Sequence, residues 1–189
     1  MSDTPPQLWV VRHGATEWSE NGRHTSFTDL PLLPEGEAAA RSLAPRLAGQ
    51  RFALVLASPR RRARDTARLA GFPDAEVDDD LQEWDYGELE GMTTSQLRLS
   101  DPGWSVWTGA VPGGETAEEV AARVRRVIAR CQAGEGDALL FAHAHVLRVL
   151  TAVYLGFPPQ AGAQFALDTA TVNVLGHERE AVTLRRWNT

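Results

Sequence analysis

Residues 8–14 join a short apolar run to two basic side chains and a glycine: Leu8-Trp9-Val10-Val11-Arg12-His13-Gly14. The apolar run lacks the polar alternation of a strand with one solvent face, which predicts a central strand of a parallel sheet. Arg12 and His13 then follow the carboxyl end of that strand. Because ligands bind beyond the carboxyl ends of strands in open parallel sheets, we expect residues 12–14 to belong to a ligand site.

The rest of the chain alternates short apolar runs with helical patterns, which predicts an α/β fold. We expect a three-layer sandwich in which helices flank a mostly parallel central sheet. The predicted strands occupy residues 8–11, 52–57, 76–77 and 138–142, with a closing antiparallel pair at 172–175 and 181–184. No linker divides the chain, so one domain over residues 1–189 is predicted, with a small irregular cap segment at about residues 84–114.

Four helices are predicted, and they begin at Pro34, Pro59, Thr116 and Val146. The first places Ala38, Leu43 and Leu47 on its inner side. Ser58 is the predicted N-cap of the second helix, with proline at the first helical position. The long polar loop of residues 14–33 precedes these helices, and loops of that length in compact domains tend to be functional.

The third predicted helix runs from about Thr116 to Gln132 and has the clearest pattern. Thr116 and Glu119 form a capping box at its start. Apolar residues follow the helical period up to Cys131, and the arginines fall on the opposite face. Cys131 is therefore expected to pack in the core.

The composition is that of a folded acidic protein: 43% of residues are hydrophobic and the formal net charge is −6. This charge favours neither nucleic acid nor acidic membranes as partners. All 19 basic residues are arginine, which excludes lysine-based chemistry such as Schiff bases and the P-loop. The single cysteine excludes an internal disulfide, and the polar Met1–Gln7 segment lacks a signal-peptide pattern, so a cytoplasmic protein is expected.

Three predicted strands are each followed by a side chain suited to phosphate chemistry. His13 follows the first strand, Arg62 lies on the turn after the second, and His143 follows the strand at 138–142. Arg12 adds a second guanidinium, whose paired N–H groups match phosphate oxygens. A neutral imidazole can attack phosphorus, and a protonated second histidine would stabilise charge on the transferred group.

Such a reaction also needs an acid for the leaving oxygen, and the stretch from Asp78 to Glu90 is rich in carboxylates. Spacing alone does not choose among them. The pair His143 and His145 has a spacing seen in metal sites, but further ligands in register are lacking, so neither a metal nor a cofactor is predicted.

An ordered set of motifs resembles the histidine phosphatase superfamily, also called phosphoglycerate mutase-like. The blocks are Arg12-His13-Gly14-Ala15-Thr16-Glu17, Ser58-Pro59-Arg60-Arg61-Arg62-Ala63, Leu81-Gln82-Glu83-Trp84-Asp85-Tyr86-Gly87, Gly113-Gly114-Glu115 and Phe141-Ala142-His143. The resemblance implies that His13 becomes phosphohistidine and that Glu83 is the general acid and then the base. It also implies a phosphate pocket formed by Arg12, Arg62 and His143.

Further substrate contacts are expected from Ser19, His24, Thr25, Ser26, Ala144 and His145. Ser19 and Ser26 stand where many members of the family have Asn and Gly, and Ala144 stands where Gly commonly follows the second histidine. His145 and Arg148 are placed either toward the distal part of the substrate or toward solvent. Five aromatic residues are expected mainly in the core: Trp18, Trp84, Tyr86, Trp104 and Trp107.

The motif details are most similar to sugar-phosphate and acid phosphatases, including sedoheptulose bisphosphatase-like enzymes. We therefore expect a metal-independent phosphatase that acts on a small phosphorylated metabolite and needs no cofactor. The interval between Glu83 and His143 lacks the longer insertion of cofactor-dependent mutases, which favours hydrolysis over transfer. A phosphoglycerate mutase and a non-catalytic phospho-ligand binding protein stay as alternatives, and the oligomeric state is open.

Overall fold

A computed structural model describes residues 5–189, and Met1 to Thr4 of the polar N-terminal segment lie outside the described residues. Six strands form one sheet in the order β3-β2-β4-β1-β5-β6. They are β1 (Leu8–Arg12), β2 (Leu54–Ala57), β3 (Glu76–Val77), β4 (Ala138–Ala142), β5 (Val172–Glu178) and β6 (Ala181–Arg186). Strands β1 to β4 pair in parallel, whereas β5 is antiparallel to both β1 and β6. The mostly parallel sheet is confirmed.

Seven α-helices surround the sheet in the described part of the chain. They are α1 (Glu17–Glu20), α2 (Pro34–Ser42), α3 (Ala44–Leu47), α4 (Arg61–Leu69), α5 (Thr94–Leu97), α6 (Ala117–Gln132) and α7 (Ala144–Tyr154). Short 3₁₀ helices lie at Asp79–Leu81, Gly87–Leu89 and Pro159–Gln164. Within residues 5–189, no helix has both the length and the apolar character needed to cross a bilayer.

The sheet separates two apolar clusters, because successive side chains of a strand point to opposite faces. Val10 and Leu140 pack with residues of α6 and α7 on one face. Val11 and Phe141 pack on the other face with Leu43 and Leu47 and with apolar residues of α4. The three layers are therefore as expected, and β1 and β4 are buried from both sides.

Leu43 and Leu47 are buried as predicted, but Ala38 is exposed and Ala40 is buried in its place. The cause is Gly36, whose backbone packs so closely on the chain after β1 that an added Cβ would lie 2.3 Å from the Ala15 carbonyl oxygen. This contact turns residues 36 and 40 inward. The prediction that Ala38 faces the core was therefore wrong.

Several element boundaries also differ from expectation. Strand β2 begins at Leu54 instead of Phe52, and α1 interrupts the loop of residues 14–33. Helix α4 begins at Arg61 with Arg60 as its N-cap, so Ser58 is not the cap. The Ser58 hydroxyl bonds to His143 instead. Helix α7 begins at Ala144 instead of Val146.

The segment of residues 84–114 is irregular, with two short helical turns, and it folds back on itself. Gly87 has a φ of +50°, and the Glu88 N–H donates to the Pro112 carbonyl over 2.9 Å. The segment is also joined to the loop after β1, since the Gly91 N–H donates to the His24 carbonyl over 2.8 Å. These contacts place it beside the carboxyl ends of the parallel strands.

Candidate active site

The strand order brings the reactive residues to one edge of the sheet. Strand β4 lies between β1 and β2, so the residues that follow these three strands are neighbours. The ring centroids of His13 and His143 are 5.1 Å apart, and Ser58 Oγ lies 2.7 Å from His143 Nε2. The expectation of a shared rim is therefore confirmed.

Hydrogen bonding fixes the tautomer of His13. Its Nδ1 lies 2.7 Å from the carbonyl oxygen of Gly14, which can only accept, so Nδ1 carries the proton and Nε2 keeps a lone pair. The Gly14 N–H donates in turn to Thr66 Oγ1 over 3.0 Å. Burial, followed by Arg62 and Arg12, lowers the pKa of His13 well below its usual value of 6.5. The imidazole is thus neutral at physiological pH.

Arg62 and His143 form a fully buried pair behind His13. The Arg62 Nε–H donates to His143 Nδ1 over 3.1 Å, so the proton of His143 is on Nε2 and is donated to Ser58 Oγ. Burial and then Arg62 lower the pKa of His143 well below 6.5. The second histidine is therefore a neutral donor, which differs from the protonated form expected to stabilise the transferred group.

The Arg62 guanidinium is held by the loop after β1. Its Nη1 donates to the Thr28 carbonyl over 3.0 Å, and its Nη2 donates to the carbonyls of Thr25 and Ser26 over 3.1 and 3.2 Å. With the bond to His143, four of its five N–H groups are engaged. Burial lowers the pKa of Arg62, but an arginine remains charged at physiological pH.

Arg12 is the second cation beside His13. One of its Nη atoms donates to the Leu167 carbonyl over 2.6 Å. Its Nε has no hydrogen-bond partner among residues 5–189, although it is buried. Burial lowers the pKa of Arg12, with a smaller opposing effect from Glu83. A buried donor without a partner costs stability.

Glu83 lies at the amino end of α7. Its Oε1 accepts from the N–H groups of Trp84 and Val146 over 2.9 and 2.8 Å, and its Oε2 accepts from the N–H of His145 over 3.0 Å. These bonds satisfy free N–H groups of the first helical turn, which is why α7 begins before Val146. Glu83 is 5% exposed, and the three hydrogen bonds fix the direction of its carboxyl group.

An open cavity of about 190 Å³ lies in front of these groups. Eight predicted site residues line it: Arg12, His13, Ser19, His24, Thr25, Glu83, Ala144 and His145. Arg62 and His143 are not among the lining residues. Ser26 is also buried behind the surface, where its N–H donates to the Glu90 carboxylate over 3.0 Å and its carbonyl accepts from Arg62.

Uncharged aromatic rings form one wall of the cavity. The ring of His24 lies 4.7 Å from that of Tyr86, whose hydroxyl is 2.6 Å from His145 Nδ1. Burial lowers the pKa of both histidines and raises that of Tyr86 well above 10. Arg148 is not among the lining residues: it donates to the Gly162 carbonyl and stacks on Trp107.

Several residues of the site were not expected from the sequence. Thr16, Trp18, Gly22, Arg23, Tyr86 and Thr94 also line the cavity. The prediction of a core position was thus wrong for Trp18, and Tyr86 is both buried and part of the lining. Glu90 supports the loop of residues 25–28, and its proximity to Ser26 and Thr28 has no local signature in the sequence.

No group of three or more His, Cys, Asp or Glu side chains within residues 5–189 is arranged to hold a metal ion. The charged side chains that line the cavity are Arg12, Arg23 and Glu83. Guanidinium groups match the oxygens of a phosphate group, and a carboxyl group beside an oriented imidazole has the chemistry for proton transfer.

Comparison with known proteins gives a consistent result. The sequence profile of the histidine phosphatase superfamily (branch 1) matches residues 8–189. An acid phosphatase of Mycobacterium tuberculosis is 40% identical over 177 residues, which cover 91% of this chain and 87% of that protein. A sedoheptulose 1,7-bisphosphatase of Saccharomyces cerevisiae is 36% identical, over 85% of this chain and 71% of that protein. The solved structure of an open reading frame product from Mycobacterium tuberculosis superposes with a TM-score of 0.92 at 36% identity, covering 97% of each chain.

Proposed function

This chain belongs to the histidine phosphatase superfamily and is a phosphatase, and from that we propose that it hydrolyses a small phosphomonoester through a phosphohistidine on His13. The substrate class of the proposal is a sugar phosphate or a similar metabolite. It is supported by the relatives named as an acid phosphatase and a sedoheptulose bisphosphatase, which this chain matches over most of its length.

The observation that carries the proposal is the orientation of His13. Because its Nδ1–H donates to the Gly14 carbonyl over 2.7 Å, the lone pair of Nε2 is free, and the residue lines the cavity. The lowered pKa keeps this nitrogen unprotonated at neutral pH. A nucleophile that is already neutral and fixed in direction needs no separate base for the first step.

In the first step, His13 Nε2 forms a bond to phosphorus as the bond from phosphorus to the ester oxygen breaks. The departing oxygen takes its electron pair and a proton from the Glu83 carboxyl group. Arg12, which lines the cavity, supplies positive charge beside the equatorial oxygens, and the buried Arg62 adds positive charge from behind the surface, so negative charge is stabilised in the transition state. Because guanidinium groups supply this positive charge, we propose that the reaction needs no metal ion.

In the second step, the Glu83 carboxylate takes a proton from water as the water oxygen attacks phosphorus. The bond from phosphorus to His13 Nε2 then breaks, which restores the neutral imidazole and the Glu83 carboxyl group and releases phosphate. One carboxyl group thus serves first as acid and then as base. Its three backbone donors hold the carboxyl group in one position for both steps.

The test is phosphate release from a panel of phosphomonoesters in EDTA, with the His13→Ala variant alongside. The panel contains p-nitrophenyl phosphate, glycerol phosphate, sugar mono- and bisphosphates, and phosphoglycerates. We expect release that survives EDTA and is lost in His13→Ala, together with an acid-labile phosphoryl group on the wild-type chain during turnover. Wild-type activity in His13→Ala would refute the mechanism. No release from any ester, together with interconversion of phosphoglycerates, would support a mutase instead.

A further inference from the structure

Arg123 differs from the other arginines of α6. The sequence places these arginines on the solvent face, but Arg123 is only 8% exposed. Arg126 and Arg130 instead form ion pairs with Asp80, Glu76 and Asp78 at the surface. The buried position of Arg123 follows from contacts across the chain, because its guanidinium reaches the segment that carries Glu83.

The guanidinium of Arg123 binds two backbone carbonyls and one carboxylate. Its Nη1 donates to the carbonyls of Asp80 and Gln82 over 2.7 and 2.6 Å. Its Nε and Nη2 donate to the two carboxylate oxygens of Glu115 over 2.8 and 3.0 Å. A planar fork is needed for this pattern, and the ammonium group of a lysine cannot reproduce it. Gln82 is the residue directly before Glu83.

Glu115 completes the arrangement on the other side of Glu83. Its Oε2 accepts from the Asp85 N–H over 2.9 Å, and its own N–H donates to the Asp85 carbonyl over 2.9 Å. Its carbonyl accepts from Trp84 Nε1 over 2.8 Å. The ion pair of Arg123 and Glu115 therefore holds the backbone at residues 82 and 85, on both sides of Glu83.

We propose that Arg123 and Glu115 are positioning residues that hold the Glu83 carboxyl group where it transfers a proton to the leaving oxygen. The inference rests on the proposed function, since it assumes that Glu83 is the general acid. Neither residue touches the phosphate pocket. Their effect passes through the backbone of residues 82–85, and a small displacement of an acid is enough to slow proton transfer.

The test compares two substrates whose leaving groups differ in whether they need an acid to depart. The alkoxide of glycerol phosphate, or of the best alkyl phosphate in the panel, must be protonated as it leaves. The phenolate of p-nitrophenyl phosphate is stable without a proton. The value of kcat/KM covers the steps up to departure of the leaving group. The ratio of kcat/KM for the alkyl phosphate to kcat/KM for the aryl phosphate therefore measures the contribution of the acid. A merely structural role would lower both values together.

Three variants are compared with the wild type: Arg123→Lys, Glu115→Gln and Glu83→Gln. Arg130→Ala, two turns further along α6, is the matched control and is expected to leave both values unchanged. Glu83→Gln should lower kcat/KM for the alkyl phosphate by about 10²–10⁴-fold relative to the aryl phosphate. Arg123→Lys and Glu115→Gln should each lower the same ratio by about 10–100-fold.

The outcomes separate the inference from the function on which it rests. If Glu83→Gln lowers the ratio but Arg123→Lys and Glu115→Gln do not, the positioning role is overturned and the proposed function stands. If Glu83→Gln leaves the ratio unchanged, the acid assignment fails and the inference fails with it. Equal losses on both substrates in the two positioning variants would also overturn the inference. If Arg123→Lys does not fold, Glu115→Gln decides the question alone.

Discussion

Replacing Gly36 by alanine tests whether the contact between α2 and the chain after β1 holds His13, the proposed nucleophile, in place. A Cβ at this position would lie 2.3 Å from the Ala15 carbonyl oxygen and 2.7 Å from the Ala15 nitrogen. Ordinary contacts of carbon atoms begin near 3.5 Å, so the two backbones must separate by about 1 Å. Ala15 is two residues from His13, so we expect part of the displacement to reach the His13 side chain.

The expected magnitudes follow from this displacement. Forced separation of packed groups costs about 1–3 kcal/mol of unfolding free energy, and each kcal/mol lowers the Tm of a chain of this size by about 2–4 °C. A misplacement of about 1 Å at a reacting atom lowers the rate by roughly 100-fold. We therefore expect Gly36→Ala to lower kcat/KM much more than its modest loss of stability explains.

The assay combines steady-state kinetics on p-nitrophenyl phosphate with thermal unfolding. Ala38→Gly is the matched control: it changes an exposed position of the same helix, and it should lower stability by up to about 1 kcal/mol without changing kcat/KM. Wild-type kcat/KM in a destabilised Gly36→Ala variant would refute the coupling of this contact to His13. Wild-type stability in that variant would refute the close contact itself.

Three other predictions concern Glu90, His143 and Cys131. Glu90→Gln removes one of the two carboxylate oxygens that accept from the N–H groups of Ser26 and Thr28. We expect the loop that holds Arg62 to loosen as a result. The value of kcat/KM should then fall about tenfold, which corresponds to about 1.4 kcal/mol of activation free energy. Burial keeps His143 neutral in the folded state, because its pKa there is well below 6.5, whereas the unfolded chain takes up a proton on this residue below about pH 6.5. The stability that the neutral residue contributes is therefore present above pH 6.5 and is lost as the pH falls below it. In urea unfolding, His143→Gln should thus reduce the pH dependence below pH 6.5 by up to about 1.4 kcal/mol per pH unit, and an unchanged slope would contradict this. Burial raises the pKa of Cys131 to about 12, so a thiol reagent at pH 8 should label it only after unfolding.

The outline of the fold follows from local sequence patterns. Uniform apolar runs identify β1 and β4 as central strands, and the capping box of Thr116 and Glu119 identifies the start of α6. The shared rim of His13, Arg62 and His143 follows from strand ends alone. These features are predictable because each depends on residues close together in the chain or on a general rule of parallel sheets.

The supporting contacts of the site are not predictable in this way. Arg123 binds the Gln82 carbonyl across 41 residues, and Glu90 binds the Ser26 N–H across 64. Such bonds join a side chain to a backbone group, and the backbone group carries no residue-specific signal. The orientation of α2 was missed for a similar reason, because Gly36 sets it through backbone packing. The cap segment, the cytoplasmic location and the metabolite partner stay predictions.

The position of β4 between β1 and β2 has a consequence for synthesis of the chain. Leu8 and Leu54 both align with Ala138, so neither early strand has its central partner until about 130 residues have followed β1. At about 5–20 residues per second on the ribosome, the apolar strand of residues 8–11 waits roughly 7–26 s for that partner. During that interval a nascent chain presents an unpaired apolar strand, and unpaired strand edges of this kind are prone to aggregation. Arrival of β4 then joins β1 to β2 and delivers His143 beside His13, so the pairing of these three strands and the assembly of the candidate site are a single event, and β5 and β6 extend the sheet afterwards.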